Sequence, residues 1–494
     1  GLRKFYIETA QGNSQLPDYL KERLDFVLAN LYSLDRLLQK TPSEATEYAQ
    51  IFAQYQTLQR EHQALQDTLL DYRAYRREIN EALGRDTDDV IAQLATNQCL
   101  LSYFLGPEKG FAFLVHPTGE IQMREIPLAP QDLTALAENF FALSARVLDR
   151  TSARKQWLTH NQALYTALLA PFEPQLAPRI LIIPDQALYK LPFESLLKSS
   201  AVSAPADFDQ LPYLLRDHAI GYHYSALALA DFTASDDNYT YDFLGVAPSF
   251  SSVTPVAENL LSGRTQLSAL RGSKELVRKI SQVFEDGTTL PLLAADATVA
   301  QFLQYASQAK YIHLHTHGDY EDLRKPFLFF TDHQSADQVE KLYVADLIGQ
   351  SIDARLITIP ACYSGLGVPT SGQGLTSLGR GFLQAGAHSV LPSLWEGYSP
   401  SLSAITDELY QHLRQEMPLD VALQRAKLAY LESPQNKGNT APFYWASYLP
   451  IGQMDERNDG GWQLGNWQQL VTYAGSAFLV LLILLWSLRR RSTA

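Results

Sequence analysis

Cys362 and His317 are the residues whose types and positions most directly offer chemistry. Each ends an apolar run, RLITIPAC (355–362) and KYIHLHTH (310–317), and each has small neighbours. Gly318 follows His317, and Ala361, Ser364 and Gly365 surround Cys362. A free thiol with a pKa of ~8.5 is mostly protonated at neutral pH, so a nucleophilic cysteine needs a base or a cation beside it. An imidazole can take the thiol proton and later hand it to a leaving amine. Glycine after the histidine lets a carbonyl approach the backbone, and the Gly318 N–H is a candidate oxyanion donor. From the residues alone this pairing competes with a second reading, in which Cys362 is a buried structural thiol.

Other constellations are weaker. His313, His315 and His317 alternate, which on one strand would point three imidazoles to one face. Imidazole suits zinc, but no fourth ligand is evident and no metal is expected. Gly372-Gln373-Gly374 with Gly379 lacks the preceding strand and the acidic residue of a dinucleotide fingerprint. Ser364 is outside any Gly-x-Ser-x-Gly elbow. No cofactor is called for.

Composition sets the frame. Of 494 residues, 46% are apolar, which excludes a disordered chain or a multi-span membrane protein. The formal charge of −13 argues against nucleic acid as a partner. The two cysteines, Cys99 and Cys362, exclude a disulfide scaffold and a cysteine-rich zinc module. Cys99 sits in an apolar run and reads as core.

The elements that must position the pair follow from periodicity. Residues 1–90 carry two apolar stripes, Leu20 to Leu38 and Tyr48 to Tyr72, separated by Thr41-Pro42-Ser43. They read as a helical hairpin, with His62 as a packed residue on the second stripe. CLLSYFL and GFAFLVH read as strands, with helical stretches following from about Gln131 to Leu169. Short apolar runs then alternate with helices: ILIIP (180–184), DFLGVAP (242–248), 310–317, 355–362 and HSVLPSLW (388–395). Helical patterns include Lys274 to Phe284 and Thr298 to Ser307. Continuous apolar strands between helices predict an α/β fold, a mostly parallel sheet covered on both faces. Ligands then bind beyond the carboxyl ends of the strands, where Asp185, His317, Asp319, Cys362 and Glu396 lie.

The chain opens on Gly1, without a visible signal peptide, and reads as a fragment or processed product. Leu470–Leu488 is uncharged. As a helix it would be about 28 Å long at ~1.5 Å per residue, close to a hydrocarbon core of ~30 Å. Trp467 and Trp486 stand near its ends, and Arg489, Arg490 and Arg491 follow. The expectation is a transmembrane helix at 470–488, after a linker at 453–468 and before a basic tail at 489–494. The arginines favour a cytoplasmic tail with the preceding domain outside the cytoplasm. The reverse orientation, as a tail-anchored protein, stays open.

HLHTHG (313–318) and PACYSG (360–365) resemble the His-Gly and Ala-Cys boxes of the CHAT family, caspase-like cysteine peptidases related to separase. RILIIPDQALYKLPFESLL (179–197), YLLRDHAIGYHYSA (213–226), GQGLTSLGRGFLQAGAHSVLPSLW (372–395) and APFYWASYLPIG (441–452) resemble further blocks of that family, in order. The resemblance covers about residues 97 to 452. It implies a caspase-hemoglobinase-like fold, His317 as catalytic histidine, Cys362 as nucleophile, and the Gly318 and Cys362 N–H groups as oxyanion donors. The hairpin resembles the region such proteins place after tetratricopeptide-type repeats. Pro360 stands where the family usually has Ser. Glu396-Gly397-Tyr398-Ser399-Pro400 follows Leu394-Trp395 where many members have Val and then Asp, which bears on substrate preference. By analogy with related peptidases, Asp185, Glu396 and Asp319 are candidates for a pocket floor that would select Arg or Lys. The alternative is that Asp185 makes a turn and Glu396 is solvated.

The resulting expectation is a membrane-tethered cysteine endopeptidase acting on a protein or peptide, regulated through its helical region by a protein partner. The alternative is a catalytically silent caspase-like scaffold or sensor.

Overall fold

Eleven strands make the main sheet: β1 (Gln98–Leu105), β2 (Gly110–Val115), β3 (Ile121–Glu125), β4 (Arg179–Ile183), β5 (Ala219–Tyr222), β6 (Tyr241–Ala247), β7 (Thr289–Leu293), β8 (Ala309–Leu314), β9 (Leu356–Ile359), β10 (Ser389–Pro392) and β11 (Ile451–Gly452). Their spatial order is β3-β2-β1-β4-β5-β11-β10-β9-β8-β6-β7. The computed structural model describes residues 86–198, 208–230, 238–250, 272–320, 326–332, 338–347, 350–361 and 374–455, with shorter stretches and single positions elsewhere between 23 and 370. Through Asp455 the chain forms one compact unit.

Parallel pairing joins β1 to β4, β4 to β5, β6 to β7 and to β8, β8 to β9, and β9 to β10. The hairpins β1–β2 and β2–β3 are antiparallel, as is β10–β11. β4, β9 and β10 are buried along their whole length. That burial is why their sequences read as unbroken apolar runs rather than as alternation. Cys99, in β1, is fully buried, and burial pushes its thiol up to about 11.

Seven helices carry the argument: α1 (Pro130–Ser144), α2 (Thr151–Leu168), α3 (Ser273–Ser281), α4 (Val299–Ala306), α5 (Leu378–Gln384), α6 (Ser399–Leu413) and α7 (Leu419–Glu432). One face of β6, β8 and β9 meets α3 and α6. The Tyr410 ring of α6 packs against Phe243, Tyr311 and His313. A Cβ at Gly245 would come within 2.4 Å of Val277 in α3, so this helix settles onto β6 only where a side chain is missing. In the other layer Phe302 of α4 meets Phe382 of α5 at 6.3 Å. Ser377 caps α5 by accepting the Arg380 N–H, and Thr298 caps α4 in the same way through Gln301.

A second, three-stranded antiparallel sheet (Gly318–Tyr320, Pro326–Thr331, Val339–Tyr343) follows β8. Phe327 and Phe329 pack there with Phe250 and Leu267 in a separate small core.

Three strand limits correct the sequence reading. The run 310–317 leaves the sheet after Leu314, the run 355–362 after Ile359, and the run 388–395 after Pro392. Past Leu314 the Thr316 N–H turns back to the Leu314 carbonyl, and the chain joins the second sheet. Only His313 of the three histidines lies within β8. The helical stretches expected from Gln131 to Leu169 are α1 and α2, with the chain turning between Ser144 and Thr151.

Described residues between 23 and 65 are helical, and Arg23 pairs with Glu61 across the two runs. His62, the linker beyond Asp455, the expected transmembrane segment and the basic tail lie outside the described residues. Among the described residues no helix is long and apolar enough to cross a membrane.

Candidate active site

β8 and β9 are parallel neighbours with the register Tyr311↔Leu356, Ile312↔Ile357 and His313↔Thr358. From the last of these pairs, each chain runs on through the same number of residues to reach position 317 or 362. His317 is 5% exposed, with its ring 5.2 Å from Phe250. Its carbonyl accepts the Phe329 N–H at 2.9 Å, and the Thr316 hydroxyl donates to the Phe329 carbonyl. Gly318 opens the second sheet opposite Leu328. The histidine is therefore fixed where the chain passes from one sheet to the other.

Cys362 and Tyr363 lie outside the described residues. Ala361 is 1% exposed, and the Ser364 N–H donates to the Ala361 carbonyl at 3.2 Å. The Ser364 hydroxyl donates to the Ile359 carbonyl and accepts the Ser393 N–H, both at 2.8 Å. A buried serine thus ties the segment after β9 to its own strand and to the end of β10. Sequence reasoning weighed Ser364 only as a hydrolase nucleophile and missed this role. The bond to Ser393 leaves no local signal.

Behind His317 lies a second imidazole pair. His313 Nε2 and His315 Nδ1 are 3.3 Å apart. Burial holds His313 well below its usual value, with the neighbouring His315 adding to the effect. Burial, and then the charge of His317, brings His315 down to about 4. His313 Nδ1 is buried and has no hydrogen-bond partner among the described residues. The two rings share one hydrogen bond, whose direction depends on their tautomers. Among the described residues no group of three His, Cys, Asp or Glu side chains is arranged to hold a metal ion.

The acidic candidates fall on three different elements. Asp185, after β4, accepts the Leu105 N–H at 2.8 Å, and Gln186 donates to the Leu105 carbonyl at 2.7 Å. The two side chains grip the end of β1. Asp319 is 4% exposed in the second sheet. Glu396 is exposed in the segment between β10 and α6, beside Trp395, whose indole N–H donates to the Phe443 carbonyl. No hydrogen bond or ion pair joins Asp185 to Glu396.

A mostly parallel α/β sheet flanked by helices, with the His317 and Cys362 segments leaving neighbouring strands, defines the class. The CHAT domain family model matches residues 158–453, well over half of the chain, and the chain belongs to the CHAT family. Among solved structures it is similar to two of the Saccharomyces cerevisiae separase–securin complex, each at 12% identity. The TM-scores are 0.47 and 0.42, with 86% and 88% of this chain covered. The match takes in 35% and 38% of the separase-complex chains, so this chain spans little more than a third of their length. No curated protein matches it.

Proposed function

We propose that this chain is a cysteine endopeptidase of the CHAT family. The observation that supports it most is the parallel register His313↔Thr358, because residues 317 and 362 continue from adjacent strands at one edge of the sheet. In this reading His317 removes the Cys362 proton, and Sγ attacks the carbonyl carbon of the scissile peptide. The Gly318 and Cys362 N–H groups receive the oxyanion. The C–N bond breaks, and His317 returns its proton to the departing amine. Water then adds to the thioester, His317 takes a proton from it, and the C–S bond breaks to release the acid and restore the thiol.

Asp185, Asp319 and Glu396 stay candidates for contacts with the peptide. Glu396, being exposed, is the most available of them. The transmembrane assignment of Leu470–Leu488 rests on its uncharged sequence, and the arginines after it favour a cytoplasmic tail, with the peptidase outside the cytoplasm. The helical region before residue 90 is the element assigned to a regulatory protein partner. The burial of His317 against Phe250 favours a second reading, a silent scaffold that binds partners.

An electrophilic peptide probe separates the two. Labelling is expected on Cys362, to be abolished in Cys362→Ala and strongly slowed in His317→Ala. Labelling that persists in Cys362→Ala would overturn the peptidase reading.

A further inference from the structure

The two edges of the main sheet differ. Among the described residues β7 ends the strand order on one side, and Pro291 within it removes a backbone donor from that edge. β3 ends the order on the other side, with five regular pairs to β2 and no proline. The His116 N–H donates to the Glu120 carbonyl and the Ile126 N–H to the Gly110 carbonyl, both at 2.9 Å. Antiparallel pairing alternates, so Gln122 and Arg124 also bond toward β2, while Ile121, Met123 and Glu125 turn their N–H and C=O groups outward. The Met123 carbonyl fits this direction, since it accepts from the Arg124 side chain at 3.0 Å.

The side chains of this edge sort by face. Ile121 and Met123 share one face with Phe113 of β2 and Phe104 of β1, and Ile121, Met123 and Phe104 are each about half exposed. Glu120, Gln122 and Arg124 form a row on the other face, where Gln122 Nε2 donates to Glu120 at 2.8 Å. An open, regular edge beside an exposed apolar stripe is a template for another strand. The sequence Glu120-Ile121-Gln122-Met123-Arg124 is its own complement. Reversed against itself about Gln122, it sets Glu120 opposite Arg124 and Ile121 opposite Met123 on both sides of the centre.

We propose that two copies of this chain associate by antiparallel pairing of β3 with β3 of the second copy, about a twofold axis at Gln122. Ile121 and Met123 then exchange backbone bonds across the axis, through the groups that already point outward. Glu120 and Arg124 become opposite-charge pairs at the closer, non-hydrogen-bonded positions, and a backbone N–H replaces Arg124 at the Met123 carbonyl. A one-residue shift would oppose outward groups to groups already bonded to β2. A two-residue shift loses the charge pairs, setting Arg124 against Thr118 or Gln122. The His317 and Cys362 segments continue from β8 and β9, beyond five intervening strands of the sheet counted from β2's neighbour β1, so the association does not depend on the peptidase reading.

Disulfide trapping in the full chain, with Cys362→Ala to remove the competing thiol, tests both the pairing and its register. At the axis Gln122 faces its own copy with about 4.5 Å between Cα atoms, within the ~4.4–6.8 Å that a disulfide spans. Gln122→Cys is expected to cross-link under mild oxidation about tenfold or more faster than Ile121→Cys or Met123→Cys, because positions 121 and 123 face each other and not themselves. Adding Arg124→Glu to Gln122→Cys should slow trapping severalfold, since like charges then stand opposite, and adding Glu120→Arg as well should restore it. Thermal melts check that each variant is folded. No trapped dimer from folded Gln122→Cys, the outcome for a monomer or for an edge reserved for a different protein, overturns the proposal. So does trapping that is equal at the three positions, fastest at 121 or 123, or indifferent to the exchange of charges.

Discussion

The Tyr410 hydroxyl lies 2.9 Å from the Thr358 hydroxyl, so α6 is bonded to the strand that leads into Cys362. Both groups are fully buried, and the same tyrosine ring meets His313 edge-on at 5.9 Å. One side chain therefore spans the two strands from which the His317 and Cys362 segments continue. Tyr410→Phe keeps the ring and deletes the bond, leaving the Thr358 hydroxyl without that partner. The expected cost is about 1–3 kcal/mol, as for a buried polar group left unpaired. Urea unfolding of wild type, Tyr410→Phe and the double variant Tyr410→Phe/Thr358→Val checks it. The double variant should recover part of the loss, since it removes both polar partners.

Ser364 makes a sharper prediction for the site itself. Its hydroxyl is at once a donor to Ile359 and an acceptor from Ser393. Ser364→Ala removes both bonds, and the Ser393 N–H loses that partner. The variant should lose about 1–3 kcal/mol of stability and label more slowly with the electrophilic probe. Ser364→Cys, which keeps a weak donor of similar size, should fall between. Labelling at the wild-type rate in a folded Ser364→Ala would show that the loop does not depend on this staple.

Much of this architecture was legible because it is written in buried strands. ILIIP and RLITI have no polar face to hide, so their place in a covered sheet follows from composition alone. The ends were not legible. Thr316 and His317 continue the apolar-looking run of β8, and the turn of the Thr316 N–H onto Leu314 and the bonds to the Phe329 backbone of the second sheet draw them out of it. Ser364 gained its role from Ser393, far along the chain, and no spacing announces that bond. The alternation of His313 and His315 was visible. What it does, bringing one imidazole within bonding distance of the other, depends on a distance that sequence does not contain. Asp185 shows the same limit: a carboxylate at a strand end looks available until its bond to Leu105 is seen.

The buried histidines predict how stability depends on pH. His315 and His223 are held near 4 against an ordinary value of 6.5, and His313 is lowered in the same direction. Between these folded values and 6.5 the unfolded chain binds protons that the native state refuses. Their contribution is complete above about pH 6.5 and is lost as pH falls toward 4. A shift of this size in one imidazole amounts to at most about 3.5 kcal/mol, at ~1.4 kcal/mol per unit. Denaturation midpoints measured from pH 7.5 to 4.5 should decline over this range, and His315→Gln should flatten the slope. An unchanged slope in His315→Gln would mean that its ring is charged or exposed in the native state.

The strongest predicted effect on stability lies away from the site, where Lys427 of α7 meets Glu194. Its ammonium is 2.7 Å from Glu194 Oε1 and 2.8 Å from the Tyr448 carbonyl, and the Tyr222 hydroxyl donates to Glu194 Oε2 at 2.6 Å. Lys427 and Glu194 are 1% and 2% exposed. Burial lowers the Lys427 pKa, and the Glu194 charge opposes it. Glu194→Gln keeps the shape but removes the counter-charge, which typically costs about 3–5 kcal/mol when a buried charge is left alone. Glu194→Gln/Lys427→Met takes away the stranded charge as well, and should be more stable than Glu194→Gln alone. Urea unfolding of the three proteins decides the point. If Glu194→Gln is as stable as wild type, the lysine is already neutral in the fold, and the pair binds as a hydrogen bond rather than as two charges.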